Sequence, residues 1–224
     1  MKILKTFRHE FKYHVNKKEM YNIRDKLQDV MQIDRNKDGY MVRSLYFDSL
    51  NNVDYFDKLS GAHTRKKIRL RIYEDNPTFA KLELKGKYDI HQLKESLILD
   101  IDTAKEIVNG NYSVLLKLDS PFALRIYDIM MSNCYRPKCI IEYDRIAFIA
   151  HTTTRITIDY NIRKSNDIDR FFTGSINYNN LISDNEAVLE VKFDRFLEPH
   201  ISTLLSKIVC NNESVSKYVM GRNS

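Results

Sequence analysis

Arg65-Lys66-Lys67-Ile68-Arg69-Leu70-Arg71-Ile72-Tyr73-Glu74 alternates with a period of two. Side chains two apart share a face of a strand. Arg65, Lys67, Arg69 and Arg71 therefore lie on one face, and Ile68, Leu70 and Ile72 on the other. The segment reads as a strand over 65–74, ended by the turn Asp75-Asn76-Pro77. The same pattern recurs along the chain. Over 79–87, Glu83, Lys85 and Lys87 oppose Leu82 and Leu84. Over 91–100, Lys94 and Ser96 oppose Leu93, Leu97 and Leu99, with Glu95 a polar exception. Over 153–162, Arg155, Thr157 and Asp159 oppose Ile156 and Ile158. Over 186–194, Glu190 and Lys192 oppose Leu189 and Val191. Over 6–15, Arg8, Glu10 and Lys12 share a face.

With further strands over 41–48 and 137–149, eight strands are expected. The absence of a βαβ rhythm argues for a mostly antiparallel sheet or barrel flanked by helices. The fold class is therefore α+β. Asn16 and Glu19 form a capping box, followed by Met20, Ile23, Leu27 and Val30 on one helical face. A short helical connection is expected from Asn51 to Leu59, ending at Gly61. Asp102 is expected to cap a short helix ending near Gly110. Ser120-Pro121 opens another, running to about Asn133. Residues 163–184 read as a polar loop. Pro199 opens a closing helix with Ile201, Leu204, Leu205 and Ile208 inward, and a last segment runs from Ser214 to Gly221. Residues 1–224 are read as a single domain.

Composition narrows the function classes. The 224 residues are 43% hydrophobic and 29% charged, with only 6 Gly and 4 Pro, which suits a folded chain without linkers or repeats. No apolar run reaches the ~18 residues of a membrane span. Charged residues follow Met1-Lys2-Ile3-Leu4, so no signal peptide is expected. Cys134, Cys139 and Cys210 lack metal-ligand spacing and read as reduced thiols of a cytoplasmic protein. His9, His14, His63, His91, His151 and His200 show no ligand spacing either. The 14 Tyr and 11 Phe read mainly as packing residues, not nucleobase stackers.

Lys and Arg total 36 against 30 Asp and Glu, a net charge of +6. Such a surplus suits an anionic partner. Charged strand faces are usually solvated outer faces. Arg and Lys repeated on strand after strand would repel one another, however, unless the surface surrounds a polyanion. A barrel with its charged faces inward would bind a chain of phosphates through many charge-assisted hydrogen bonds. Interleaved glutamates are hard oxygen donors suited to Mg²⁺ or Mn²⁺.

Several segments together resemble a known family. They are Arg8-His9-Glu10-Phe11-Lys12-Tyr13, Ser44-Leu45-Tyr46-Phe47-Asp48, Arg69-Leu70-Arg71-Ile72-Tyr73, Leu82-Glu83-Leu84-Lys85, Lys94, Tyr143-Asp144-Arg145, Arg155-Ile156-Thr157-Ile158-Asp159, Leu189-Glu190-Val191-Lys192-Phe193 and Ser216-Lys217-Tyr218. In this order they resemble the VTC (vacuolar transporter chaperone) catalytic domain, the polyphosphate polymerase branch of the triphosphate tunnel metalloenzymes. The resemblance implies an eight-stranded antiparallel barrel with a basic lumen. It implies transfer of the terminal phosphoryl group of ATP to a growing polyphosphate chain.

By position, the resemblance makes Lys12, Arg69, Arg71, Lys85, Lys94, Arg145, Arg155, Lys192 and Lys217 phosphate contacts, with Tyr143 and Ser216 in support. Lys12, Arg69, Arg71, Lys85, Arg145, Arg155 and Glu190 form the implied catalytic set. Glu190 is the implied ligand of Mn²⁺ or Mg²⁺, with Glu10 a second candidate. Glu83 reads as a salt-bridge partner of Lys85 or Arg71, with a place beside the metal as the alternative, and Asp159 is divided between the same two roles. The broader superfamily often begins Glu-x-Glu-x-Lys, whereas this chain has Arg8-x-Glu10-x-Lys12, which fits the VTC branch better. The chain is expected to carry this domain alone, as a prokaryotic protein would, so inositol-phosphate sensing and membrane export are not carried over. The expected partners are ATP and inorganic polyphosphate or triphosphate, with no nucleic acid and no encoded membrane segment. The competing readings are a triphosphatase on the same residues and a non-catalytic polyphosphate- or nucleotide-binding module.

Overall fold

The computed structural model describes residues 8–88, 91–150, 154–206 and 216–223. In chain order its elements are β1 (Arg8–Asn16), α1 (Lys17–Gln28), β2 (Gln32–Ile33), β3 (Tyr40–Asp48), α2 (Val53–Leu59), β4 (Thr64–Ile72), β5 (Phe79–Tyr88), β6 (His91–Asp100), α3 (Ile101–Val108), α4 (Pro121–Ser132), β7 (Arg136–Ala150), β8 (Thr154–Ser165), β9 (Asn179–Asn180), β10 (Glu186–Asp194), α5 (Pro199–Ser206) and α6 (Lys217–Asn223). Short 3-10 segments cover Tyr112–Lys117 and Ile168–Arg170. The strand order is β1-β10-β8-β7-β3-β4-β5-β6, with β2 on β7 and β9 on β8. The α+β antiparallel class holds. Among the described residues the strands number ten, and no pairing of β1 with β6 joins the two ends of the hydrogen-bonded order, so "barrel" is loose wording.

Local chemistry explains the element ends. The Asn16 side chain accepts from Glu19 N at 2.9 Å, and Glu19 Oε2 accepts from Asn16 N at 3.0 Å, completing the capping box. Val30, expected on the inner face of α1, lies beyond its end and is exposed. Asp100, two residues before the expected cap, accepts from Thr103 N and starts α3. Ser120 caps α4, with Pro121 in its first turn. β2 and β9 are two-residue pairings, too short for any alternation to announce. The expected loop over 163–184 holds the end of β8, a 3-10 turn and β9. Cys210, Ile208, Ser214 and His151 lie outside the described residues. Among the described residues, no helix is long and apolar enough to cross a membrane.

The chain divides into two units. The first comprises residues 1–41, 143–162 and 182–215, and the second 42–142, 163–181 and 216–224. Within the first, the apolar faces of β1, β10 and β8 bury Leu189, Val191, Ile156 and Ile158 against Met20, Ile23 and Leu27 of α1 and Ile201 of α5. Within the second, Leu45, Ile68, Leu70, Leu82 and Leu84 pack with Ala104, Ile107, Leu115 and Ile126. Each fully buried Leu or Ile contributes roughly 1.5–3 kcal/mol relative to exposure. These cores fix which face of each strand is apolar, and with it which face carries the charges. Glu95, on the apolar face of β6, is neutralised by an ion pair with Arg125 of α4.

Candidate functional site

In the first unit, strand register assembles a charged cluster. Lys12 on β1 faces Glu190 on β10, which faces Thr157 on β8, and Glu10 faces Lys192, which faces Arg155. Lys12 Nζ lies 3.0 Å from Glu10 Oε1 and 3.5 Å from Glu190 Oε1. Lys192 Nζ lies 3.0 Å from Glu190 Oε2, and Arg145 Nη2 lies 3.8 Å from the same oxygen. Burial alone would raise the Glu190 carboxyl, but Lys192, Lys12 and Arg145 hold it well below the usual carboxylate range. Burial opposes the charge on Lys12, yet Glu190, Glu10 and Asp159 raise its ammonium above the ordinary value. Both groups stay ionised across the physiological range.

Arg145 sits deeper. Its Nε and Nη2 donate to Asp159 Oδ1 and Oδ2 at 2.6 and 2.7 Å, and its guanidinium lies 5.1 Å from the Tyr143 ring centre. Tyr143, expected as a phosphate contact, thus also stacks on the guanidinium. Arg155 donates to Asp34 Oδ2 at 2.6 Å and to the Tyr40 hydroxyl at 3.4 Å. Neither Asp34 nor Tyr40 is marked by the sequence pattern: Asp34 lies in the loop after β2, which carries no periodic signal, and Tyr40 is the first residue of β3, ahead of the strand expected from 41.

In the second unit the polar faces of β3 to β6 align. Tyr46 faces Arg69, which faces Glu83, which faces Ser96, and Lys67 faces Lys85, which faces Lys94. Glu83 is buried. It accepts from Arg69 Nε at 2.7 Å, with Lys94 Nζ at 2.9 Å and Arg71 Nη1 at 3.7 Å. Burial would raise its carboxyl, but Arg69, Arg71 and Lys94 lower it far more. Arg71 also donates to the Ser44 hydroxyl at 3.1 Å, and Arg69 to the Tyr46 hydroxyl at 3.3 Å. Lys67 Nζ lies 2.8 Å from Ser216 Oγ, immediately before Lys217 opens α6. Of the two expected partners of Glu83, Arg71 is near it, and Arg69 and Lys94 are closer.

The expected residues therefore fall into two sets. Lys12, Tyr143, Arg145, Arg155, Glu190, Lys192 and Glu10 belong to the first unit, and Arg69, Arg71, Lys85, Lys94, Ser216 and Lys217 to the second. For a divalent cation, the ionised Glu190 with Glu10 across Lys12 is a hard oxygen donor pair. No cluster of three His, Cys, Asp or Glu occurs among the described residues. Such a pair fits Mg²⁺ or Mn²⁺ with most of its coordination left to phosphate and water oxygens.

A family model of the VTC domain matches residues 7–224, spanning both units. A search of the curated proteins returns no significant match. Among solved structures, the Hippeastrum protein HpAC1, described as an adenylyl cyclase candidate with a dominant triphosphatase activity, is 12% identical. Its TM-score is 0.58, over 96% of this chain and 94% of that one. A Bacillus halodurans protein provisionally assigned as an adenylate cyclase is 16% identical, with TM-score 0.55 over 94% and 93% of the two chains. A Vibrio parahaemolyticus protein with the same provisional assignment is 12% identical, with TM-score 0.55 over 96% and 97%. At these identities the likeness is one of fold.

Proposed function

The chain belongs to the VTC domain family, and from that membership we propose that it is a metal-dependent polyphosphate polymerase acting on ATP. The reading treats residues 1–224 as one domain working in the cytoplasm. One observation carries it: in each unit a buried carboxylate gathers several cations on the polar faces of paired strands, Glu190 in the first and Glu83 in the second. A surface shaped only for solubility has no need of such anchoring. Anchored cations keep their geometry when a flexible polyanion arrives.

The chemistry asks little covalent work of the protein. A terminal phosphate oxygen of the growing chain, already ionised, attacks the γ-phosphorus of ATP. The bond to the β,γ-bridging oxygen breaks, and ADP leaves. No serine, cysteine or histidine nucleophile is required. Lys12, Arg145, Arg155 and Lys192, and in the second unit Arg69, Arg71, Lys85, Lys94 and Lys217, neutralise phosphate oxygens, with Tyr143 and Ser216 in support. Arg supplies a rigid fork and Lys a mobile point charge. Glu190, with Glu10 beside it, would hold the Mn²⁺ or Mg²⁺ ion, which when bound supplies Lewis-acid polarisation of phosphate oxygens.

The test is incubation of the purified protein with ATP and Mn²⁺, with and without a short polyphosphate primer. Products are resolved on a gel stained for polyphosphate, and free phosphate is measured in parallel. Long chains with ADP support the polymerase. Phosphate without chains replaces it with a triphosphatase. Binding of triphosphate without either product replaces it with a binding module.

A further inference from the structure

We propose that Asp159 is a positioning residue that fixes which edge of the Arg145 guanidinium meets phosphate; the inference rests on the phosphate-binding reading of the first unit. A guanidinium has five N–H donors, arranged as a side-on edge (Nε and Nη2) and an end-on edge (Nη1 and Nη2). Asp159 is fully buried and takes the whole side-on edge through two parallel bonds of 2.6 and 2.7 Å. The Tyr143 ring, 5.1 Å from the guanidinium carbon, restrains the plane from one side. Nη2, the nitrogen common to both edges, lies 3.8 Å from Glu190 Oε2, so the guanidinium stands beside the candidate metal ligand with only its end-on edge left over by Asp159. Three groups on three strands thus hold one guanidinium: Tyr143 lies two residues before Arg145 on β7, and Asp159 on β8 faces Val188, two residues from Glu190 on β10.

The consequence is chemical. Arg145 offers phosphate its end-on edge, beside Glu190, and its side-on edge stays with Asp159 in bound and unbound states alike. An Arg without this partner would have to be ordered by the ligand itself, at the expense of affinity. Asp159 touches no substrate in this scheme and acts through Arg145.

The test uses the full chain and inorganic tripolyphosphate, with affinity measured by calorimetry at fixed salt. Asp159→Asn weakens binding about ten- to fiftyfold in the native background. In an Arg145→Ala background the same change has no further effect. Losses that simply add in the double variant overturn the proposal. A second measurement needs no folded Asp159 variant. The Nε–H resonance of Arg145, assigned by its absence in Arg145→Lys, stays in place when tripolyphosphate saturates the native protein. A large movement of that resonance shows that phosphate has displaced Asp159 and overturns the proposal. Failure of the native protein to bind tripolyphosphate at all overturns the phosphate-binding reading, and this inference with it; binding with an additive cycle overturns the inference alone.

Discussion

Glu83 Oε2 accepts from Arg69 Nε at 2.7 Å on the polar face of the second unit, and the carboxylate so held is almost entirely removed from solvent. Burial opposes its charge, and Arg69, Arg71 and Lys94 more than compensate. Because the folded carboxyl is lowered, its stabilisation is present above the unfolded value of about 4.3 and is lost as pH falls below it. Glu83→Gln leaves the cations without their anion and costs on the order of 3 kcal/mol at pH 7. The deficit should shrink between pH 4 and pH 3. Urea midpoints of the two proteins at pH 7 and pH 3.5 check this, and an equal deficit at both pH values rejects the ion-pair account.

Asp54 has the opposite sign. It is fully buried in α2, accepts from the Tyr135 hydroxyl at 2.8 Å, and has Lys66 Nζ at 3.3 Å. Burial outweighs Lys66 and pushes its carboxyl up from 3.8 to about 6. A raised acid favours the folded state while protonated. Stability is therefore highest below the unfolded value, falls as pH rises through about 6, and is then level. The descent amounts to about 3 kcal/mol. Asp54→Asn removes it, so the variant gains on the native protein between pH 4 and pH 7 in thermal unfolding. Parallel curves for the two proteins would show that Asp54 does not titrate in this window.

The alternation of charge and apolar residues was legible because its period of two is local: Ile68, Leu70 and Arg69, Arg71 declare their faces without any partner. The same logic correctly flagged Glu95 as out of place, though its neutraliser, Arg125, lies thirty residues away. What escaped the sequence were relations set by register between strands. Asp34 beside Arg155 and Lys94 on Glu83 depend on which residues the pairing brings together, whereas Tyr143 and Arg145 share a face of β7 at the same local spacing of two. β2 and β9 escaped for a different reason, since two residues carry no period. The capping box at Asn16 and Glu19 was readable because both partners lie within one turn of helix.

α6 is held by Tyr218, whose hydroxyl donates to Asp48 Oδ2 at 2.5 Å, while Asp48 Oδ1 and Oδ2 also accept from the backbone N–H groups of Ser49, Asp54 and Tyr55. A Cβ at Gly221 would collide with Ile141 Cδ1 and stand 3.6 Å from Cys139 Sγ. Gly221→Val should therefore displace α6 and, with it, the Ser216 contact to Lys67. Tyr218→Phe is milder and should cost about 1–3 kcal/mol by leaving a buried carboxylate oxygen short of a donor. Both changes should speed limited proteolysis near the C-terminus. If Gly221→Val leaves cleavage and melting unaltered, the close packing of α6 is not a feature of the folded chain.

Under the proposed function, Glu190 is the residue at which catalysis and binding should separate. Its charge is held by Lys192 at 3.0 Å and Lys12 at 3.5 Å, and it is the principal hard oxygen donor of the first unit's cluster. Glu190→Gln keeps the shape and removes the anion. The cations around it are then less neutralised, so attraction for tripolyphosphate should be retained or modestly increased. If Glu190 holds the divalent ion as proposed, the ion loses that ligand, so turnover of ATP should fall at least a hundredfold, as expected when electrostatic stabilisation of the transferring group is withdrawn. Arg71→Ala, by contrast, removes a proposed phosphate contact while leaving Glu190 in place, and should weaken binding and turnover together. Calorimetry with tripolyphosphate and a coupled ADP assay, run on both variants, separate the two cases. Equal losses of binding and turnover in Glu190→Gln would show that this carboxylate organises the cations rather than a metal.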